Sequence, residues 1–433
     1  MEGNLLVVGL AVLAFGLLSG RLTGTPITLP MVFTAAGLVL GPSVLGLLEF
    51  DARSEVVSAL AEATLVVVLF SDASRLDLRV VVREHKLALR LLGLGLPLAI
   101  VVGTLVGIVL LPGLPVAAVA LLAVVLAPTD AALGQAFVSD DRLPGRIRQT
   151  LNVESGLNDG LAVPFLTVML DIARSDAGSP WEYVGLLAAL VGIGAGIGAL
   201  TGYVGGRLLT ASADRGWITE SAQRLSTITL AAIAYAGSEL LGGNGFVAVF
   251  IAGLVVGTTA RSLLPETAAF SEAEGQLLTL LTFLLFGSVV VGGAAGDLDW
   301  RIVLYALASL VLVRPVAVAL SLIGSRASLA TVAFVGWAGP RGLASIVYAV
   351  LVVDTGGFEG AERVFTTAAS TILLSIYLHG TTALWLSGRY AHRMRPGSGL
   401  HRMEREHVSH LPTRPRLYRI GRHAQGDESA KGS

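Results

Sequence analysis

The sequence predicts an all-α polytopic membrane protein of about thirteen transmembrane helices, and three observations lead there. Hydrophobic residues make up 54% of the 433 residues and charged residues only 14%, where an ordinary soluble domain carries roughly 25% charged. Apolar runs near spanning length recur along almost the whole chain, and lipid favours helices because they satisfy their own backbone groups. Inside such runs lie three carboxylates, Asp130, Glu154 and Asp159. A carboxylate at that depth is expensive unless it is paired or binds a cation or proton.

The expected spans are 4–20, 26–42, 56–72, 87–111, 115–137, 148–170, 183–209, 221–241, 244–260, 276–295, 301–324, 327–353 and 362–388. The first follows Glu2 with no basic n-region and no small-residue cleavage pattern, so it reads as a retained span. The second is short and begins at Pro26. Between the eighth and ninth, Gly242-Gly243-Asn244-Gly245 reads as a tight turn or as a break. The glycine run from Gly192 to Gly206 in the seventh lets helices approach closely, within the chain or at a subunit interface.

Alternating sides sorts the basic residues. Seventeen Lys and Arg, from Arg21 and the Arg75–Arg90 cluster to Arg389, Arg393 and Arg395, fall on one side, against Arg53, Arg174, Arg301 and Arg363 on the other. That bias puts the N-terminus outside and the C-terminus in the cytoplasm. Residues 391–433 form a short polar cytoplasmic tail, either solvated or bound to a regulator or anionic lipid. The net charge of −1 gives no basic character for nucleic acid. The absence of cysteine excludes disulfides and thiol chemistry. Nothing points to bond-making enzyme chemistry or to a cofactor.

In the fifth span, Pro128 removes a backbone donor and disfavours helix at Ala127. A break there exposes helix ends at mid-membrane, where Thr129 and Asp130 can line an ion site; alternatively Asp130 caps the second half-helix. In the sixth span, Ser155 and Asp159 share one helical face, and Glu154 and Asn158 share another. Hard oxygens suit Na⁺, Li⁺, K⁺ or a hydrated proton. Asp159 carries the exchangeable proton, since burial favours its neutral form and a bound cation its charged form. Glu154 reads as the structural partner of Arg314, because an arginine inside a span needs a carboxylate. Gly339-Pro340-Arg341-Gly342 in the twelfth span is a second broken-helix candidate. Arg341 then balances negative half-helix ends or carboxylates, or else snorkels to the cytoplasmic face. Two interrupted helices, one per half, hint at an inverted repeat.

Asp72 lines the cytoplasmic funnel as a ligand or pairs with Arg75 at a helix end. Glu62 and Glu239 read as interfacial, and His379 as an interior histidine or a pH-sensitive group.

Pro128-Thr129-Asp130, Glu154-Ser155-Gly156-Leu157-Asn158-Asp159, Val313-Arg314-Pro315, Trp337-Ala338-Gly339-Pro340-Arg341-Gly342 and His379-Gly380-Thr381 together resemble the NhaP/NHE-type Na⁺/H⁺ exchangers of the monovalent cation/proton antiporter superfamily. The resemblance covers residues 1–390. It implies an NhaA-like inverted repeat with two crossing broken helices, in a homodimer of the prokaryotic inner membrane. It implies a core of helices about 87–170 and 301–388, and dimerisation helices about 4–72 and 183–295. It implies that Asp159 is the ion and proton carrier, aided by Asp130, Thr129 and Ser155, with Glu154, Asn158 and Arg314 as a structural network. Asn158 beside Asp159, in place of a second aspartate, implies electroneutral exchange. Asn158 carries no second titratable charge, which gives the same expectation from the residue itself. The expected function is sodium/proton antiport by alternating access. K⁺/H⁺ exchange uses the same ligands, whereas a channel would need a selectivity filter or charge rings. A non-transporting scaffold leaves the deep carboxylates without a purpose.

Overall fold

The computed structural model describes residues 2–22, 25–48, 54–76, 78–174, 180–291 and 298–394. Arg53, Arg395 and the tail from residue 395 lie outside the described residues. Among the described residues there is helix and no β-strand. In chain order the helices are α1 (Glu2–Leu22), α2 (Leu29–Leu40), α3 (Glu55–Ser74), α4 (Leu78–Glu84), α5 (Lys86–Arg90), α6 (Leu96–Leu110), α7 (Val116–Val125), α8 (Ala131–Val138) and α9 (Gly145–Arg174). They continue with α10 (Pro180–Asp214), α11 (Glu220–Leu240), α12 (Gly245–Thr259), α13 (Leu264–Leu285), α14 (Trp300–Ala308), α15 (Arg314–Ser321), α16 (Leu329–Trp337), α17 (Leu343–Thr355) and α18 (Ala361–Arg393).

Within the described residues each expected span falls on a helix or on consecutive helical pieces; residues 292–295 of the tenth lie outside them. Six stretches of the described chain are long and apolar enough to cross a bilayer, and shorter apolar helices lie between them. One boundary differs: α13 begins at Leu264, well before residue 276. Its first turns, Leu264 to Glu274, are too polar to read as a span, yet they continue the same helix. Gly242-Gly243 is a turn, with Gly242 at φ +75° and Asn244 capping α12 through the Val247 N–H.

Three helices change pitch, α13 by passing into a π-turn at Phe286–Val291 and two others next to a proline. α5 passes through a π-turn (Leu91–Gly95) into α6, and α14 passes through another (Ser309–Val313) into α15. Both π-turns end two residues before a proline, Pro97 and Pro315. A proline lacks an N–H and crowds the carbonyl four residues earlier, and the wider turn relieves that crowding.

Packing follows the glycines. β-Carbons at Gly194 and Gly202 of α10 would lie 2.7 Å from the carbonyl oxygens of Asn244 and Ala252, and one at Gly198 would overlap that of Ala248. Three glycines four residues apart therefore seat α10 directly on the α12 backbone. α12 in turn packs on α3 through Gly253 and Gly257, and α2 and α13 join this group. A second group forms from α6, α7, α8, α9 and α14 to α18. The two groups meet where α9 touches α3, α10 and α12, and where α17 touches α3.

Candidate functional site: a crossing of two interrupted helices

The helix of the fifth span stops at Val125 and restarts at Ala131; that of the twelfth stops at Trp337 and restarts at Leu343. The two breaks cross, joined by the Asp130 N–H donating to the Pro340 carbonyl at 2.8 Å. Each break leaves orphan donors at one helix start and orphan acceptors at one helix end. Two side chains satisfy both pairs.

Asp130, 4% exposed, accepts the Leu133 N–H on Oδ1 at 2.7 Å and the Leu343 N–H on Oδ2 at 2.6 Å. It thus caps α8 and α17 together, where a carboxylate also complements the positive ends of both helix dipoles. Gly342 makes this possible, because a β-carbon there would overlap the Asp130 carboxylate. Arg341, 1% exposed, points Nη1 at the carbonyls of Ala127 (3.4 Å), Pro128 (3.3 Å) and Gly339 (3.4 Å). Its charge therefore lies against the carbonyl ends of α7 and α16. Arg341 is thus buried among these carbonyls and does not extend to an exposed surface.

α9 runs beside the crossing. Thr129 Oγ1 lies 3.3 Å from Ser155 Oγ and accepts from Asn158 Nδ2 at 2.5 Å. The Ser155 face carries Asp159, 6% exposed. The Tyr348 hydroxyl of α17 donates to the Asp159 backbone carbonyl at 2.6 Å. Gly160 lets α9 close on α12, since a β-carbon there would overlap the Phe250 ring.

On the other face, Arg314 Nη1 and Nη2 donate to Glu154 Oε1 and Oε2 at 2.9 and 3.1 Å. This is the expected ion pair, in the bidentate form that suits guanidinium and carboxylate. Gly339 leaves room for it, because any side chain there would overlap the Arg314 guanidinium. Asn158 lines a small cavity with Glu154 and Arg314, and its amide donates to Thr129 Oγ1 in the first break.

Of the other residues singled out, Asp72 is buried at the end of α3, outside the crossing, and the neighbouring Arg75 reaches Ser71 Oγ at 3.5 Å. Glu62 accepts from the Tyr235 hydroxyl at 3.4 Å, and Glu239 accepts the Gly245 N–H at 2.7 Å. His379 is buried, stacks on Trp337 with centroids 4.9 Å apart, and has Nδ1 3.0 Å from the Ser375 carbonyl. Ser375 Oγ accepts the Arg341 N–H at 2.7 Å, so this interior histidine stands behind the second break. Sequence reasoning missed Gly339 and Gly342 as spacers, Tyr348, and Ser375. The glycines flank Pro340-Arg341 and carried a usable signal; Tyr348 and Ser375 carried only a hydroxyl in an apolar run.

The family profile described as "Sodium/hydrogen exchanger, transmembrane" matches residues 8–387. A K⁺/H⁺ antiporter NhaP2 of Shewanella oneidensis is 28% identical over 269 residues, covering 60% of this chain and 45% of the relative. A K⁺/H⁺ antiporter NhaP of Alkalimonas amylolytica is 28% identical over 389 residues, covering 86% of this chain and 64% of the relative. The chain thus spans about half to two thirds of the length of these relatives. Among solved structures, the sodium proton antiporter MjNhaP1 of Methanocaldococcus jannaschii at pH 8 superposes with a TM-score of 0.76 at 23% identity, covering 89% of this chain and 97% of that one. This likeness extends the shared fold over both groups of helices.

Proposed function

The chain belongs to the sodium/hydrogen exchanger family, and from that premise we propose that it is a secondary active antiporter in which Na⁺ and H⁺ compete for Asp159. The observation that carries the reading is the crossing itself. Thr129 in the first break meets Ser155 of α9 at 3.3 Å, Asp159 lies on the same face of α9 as Ser155, and Asp130 is buried in the same break, which supports a cation site of hard oxygens there. Asp72 is a further candidate ligand on the path to that point.

The charges of this core support electroneutral exchange. Glu154 is matched by Arg314, and Asp130 at two helix starts is matched by Arg341 at two helix ends. Asn158 beside Asp159 carries no second titratable charge, so one monovalent cation or one proton matches the carrier and the exchange is one for one. Carrying the bare carboxylate through the apolar barrier costs several kcal/mol, so the core moves only when loaded with one or the other. The core is α5 to α9 with α14 to α18, moving against a dimerisation group of α1 to α3 and α10 to α13. Packing within each group supports that division. A homodimer in a prokaryotic inner membrane, N-terminus outside and tail in the cytoplasm, completes the reading, with lipid and no nucleic acid as partners and no cofactor.

K⁺/H⁺ exchange is the second reading, favoured by the names of the two NhaP relatives. Purified protein in liposomes with an internal pH dye tests both. Na⁺, Li⁺ or K⁺ is added outside acid-loaded vesicles, with the membrane potential free and then clamped. Alkalinisation by Na⁺ that ignores the clamp is the expected result. A response to K⁺ alone changes the substrate, and no coupled movement with any ion refutes antiport. Asp159→Asn should abolish exchange in a folded protein; retained exchange would refute its role.

A further inference from the structure

Ser345 of α17 carries a buried hydroxyl that takes no part in the hydrogen bonds of the crossing. It is 1% exposed, and its Oγ has no hydrogen-bond partner among the described residues. Some buried hydroxyls in the helices, those of Ser58, Ser238 and Ser387 among them, are likewise without a partner among the described residues, but others return to the carbonyl four residues back, as Thr104 does to Ile100, Thr167 to Val163 and Thr371 to Thr367. Ser345 lacks that escape. The residue four back is Arg341, which lies in the break before α17 and carries no helical carbonyl at that position. A hydroxyl buried without a partner is costly, and native structures rarely tolerate it without a ligand or a function.

Its position on α17 says what the ligand is. Gly342 and the Leu343 N–H hold the Asp130 carboxylate at the start of this helix, and Tyr348 holds the Asp159 carbonyl further along it. Residue 345 falls between these anchors, about 60° around the helix from 342 on one side and about 60° from 348 on the other. Side chains on a helix lean toward its N-terminus, here toward Asp130. The hydroxyl therefore faces the space between the two carboxylate-bearing segments.

We infer that Ser345 Oγ is a ligand for the transported monovalent cation, supplied by the second interrupted helix to a site otherwise built from the first break and α9. The inference rests on the antiport reading of the site. A hydroxyl is a hard, neutral donor, so it adds coordination without altering the one-for-one charge balance. It bears on which ion is preferred, because larger ions take more ligands.

The test is the liposome exchange assay on the unsubstituted protein, Ser345→Ala and Ser345→Thr, with KM and kcat measured for Na⁺, Li⁺ and K⁺. Ser345→Ala should raise KM at least threefold for one or more ions, unequally among them, with kcat little changed. Ser345→Thr should stay within twofold of the unsubstituted protein. Folding of each variant is read from its melting in detergent. A purely structural serine predicts unchanged KM on removal, so a Ser345→Ala protein with KM within twofold for all three ions overturns the inference and leaves antiport standing. If Ser345→Ala does not fold, Ser345→Cys replaces it: the softer sulfur should raise KM for Na⁺ at least threefold, and an unchanged KM overturns the inference. Absence of coupled exchange in the unsubstituted protein overturns both.

Discussion

Removing the Arg314 guanidinium strips the buried Glu154 carboxylate of its bidentate partner. The pair is bidentate at 2.9 and 3.1 Å, and the two side chains are only 8% and 6% exposed. Two charge-assisted hydrogen bonds at roughly 1.5–3 kcal/mol each give a gross loss of roughly 3–6 kcal/mol. Protonation of the stranded Glu154 limits the damage, so Arg314→Ala should cost about 3–5 kcal/mol. Glu154→Gln keeps one acceptor for the guanidinium and the shape of the side chain, and should cost less, about 2–3 kcal/mol. Replacing both, as Arg314→Met with Glu154→Leu, removes the desolvation penalty along with the attraction and should recover most of the loss. Melting of the purified protein in detergent, with SDS titration for the free-energy scale, ranks the four proteins. Arg314→Ala should be the least stable, then Glu154→Gln, with the double variant nearest to the unsubstituted protein. A double variant as unstable as the two single losses added together would refute the account of the pair, as would an Arg314→Ala protein that melts unchanged.

Other consequences of the crossing are equally direct. Gly342→Ala drives a methyl into the Asp130 carboxylate that caps two helices, so exchange in liposomes should fall at least tenfold in a protein that still purifies folded; near-normal rates would contradict the shared cap. Gly339→Ala strikes the Arg314 guanidinium and should destabilise by nearly as much as Arg314→Ala, about 3 kcal/mol, in the same melting assay. Tyr348→Phe deletes one hydrogen bond to the Asp159 carbonyl, worth about 1 kcal/mol, and should weaken apparent cation affinity by no more than about fivefold; total loss would mean that the hydroxyl does more than position. Asp299 caps α14, and the amide of Ile302, then that of Arg301 and the charges of Arg363 and Arg301, hold its carboxyl below the usual range. A lowered folded-state pKa stabilises above the unfolded-state value, and that gain is lost as pH falls through the folded-state value. The melting difference between the unsubstituted protein and Asp299→Ala should therefore be present at neutral pH and shrink in acid; one that widened in acid would contradict the cap.

The legible parts of this site were those with a local penalty. Pro128 and Gly339-Pro340 cannot continue a regular helix, so both breaks could be read directly. An arginine in a span demands a carboxylate, so Arg314 led to Glu154. Asp130 was harder. One of the helices it caps begins at Leu343, and only the crossing brings that N–H within reach. The sequence leaves both capping and ligation open for it, and the caps are present. Tyr348 and Ser345 sit in a stretch, Leu343–Thr355, that composition reads as plain span. The early start of α13 was hidden for the opposite reason, since its polar first turns lack the apolar signal by which a span is recognised.

The wide turn before Arg314 has a consequence for length. An i→i+5 turn holds one residue more than an α-turn, which shifts the phase of everything beyond it by about 100°. Deleting one residue between 309 and 313 would restore a regular helix and swing Arg314 away from Glu154. The pairing of charge in the core therefore depends on a residue count as much as on residue identity. The counterpart turn at Leu91–Gly95 leads into Gly95, which faces Ser321 of α15. A change of length in either helix would be felt by the other, so single-residue insertions and deletions here should be harmful even where every side chain is kept.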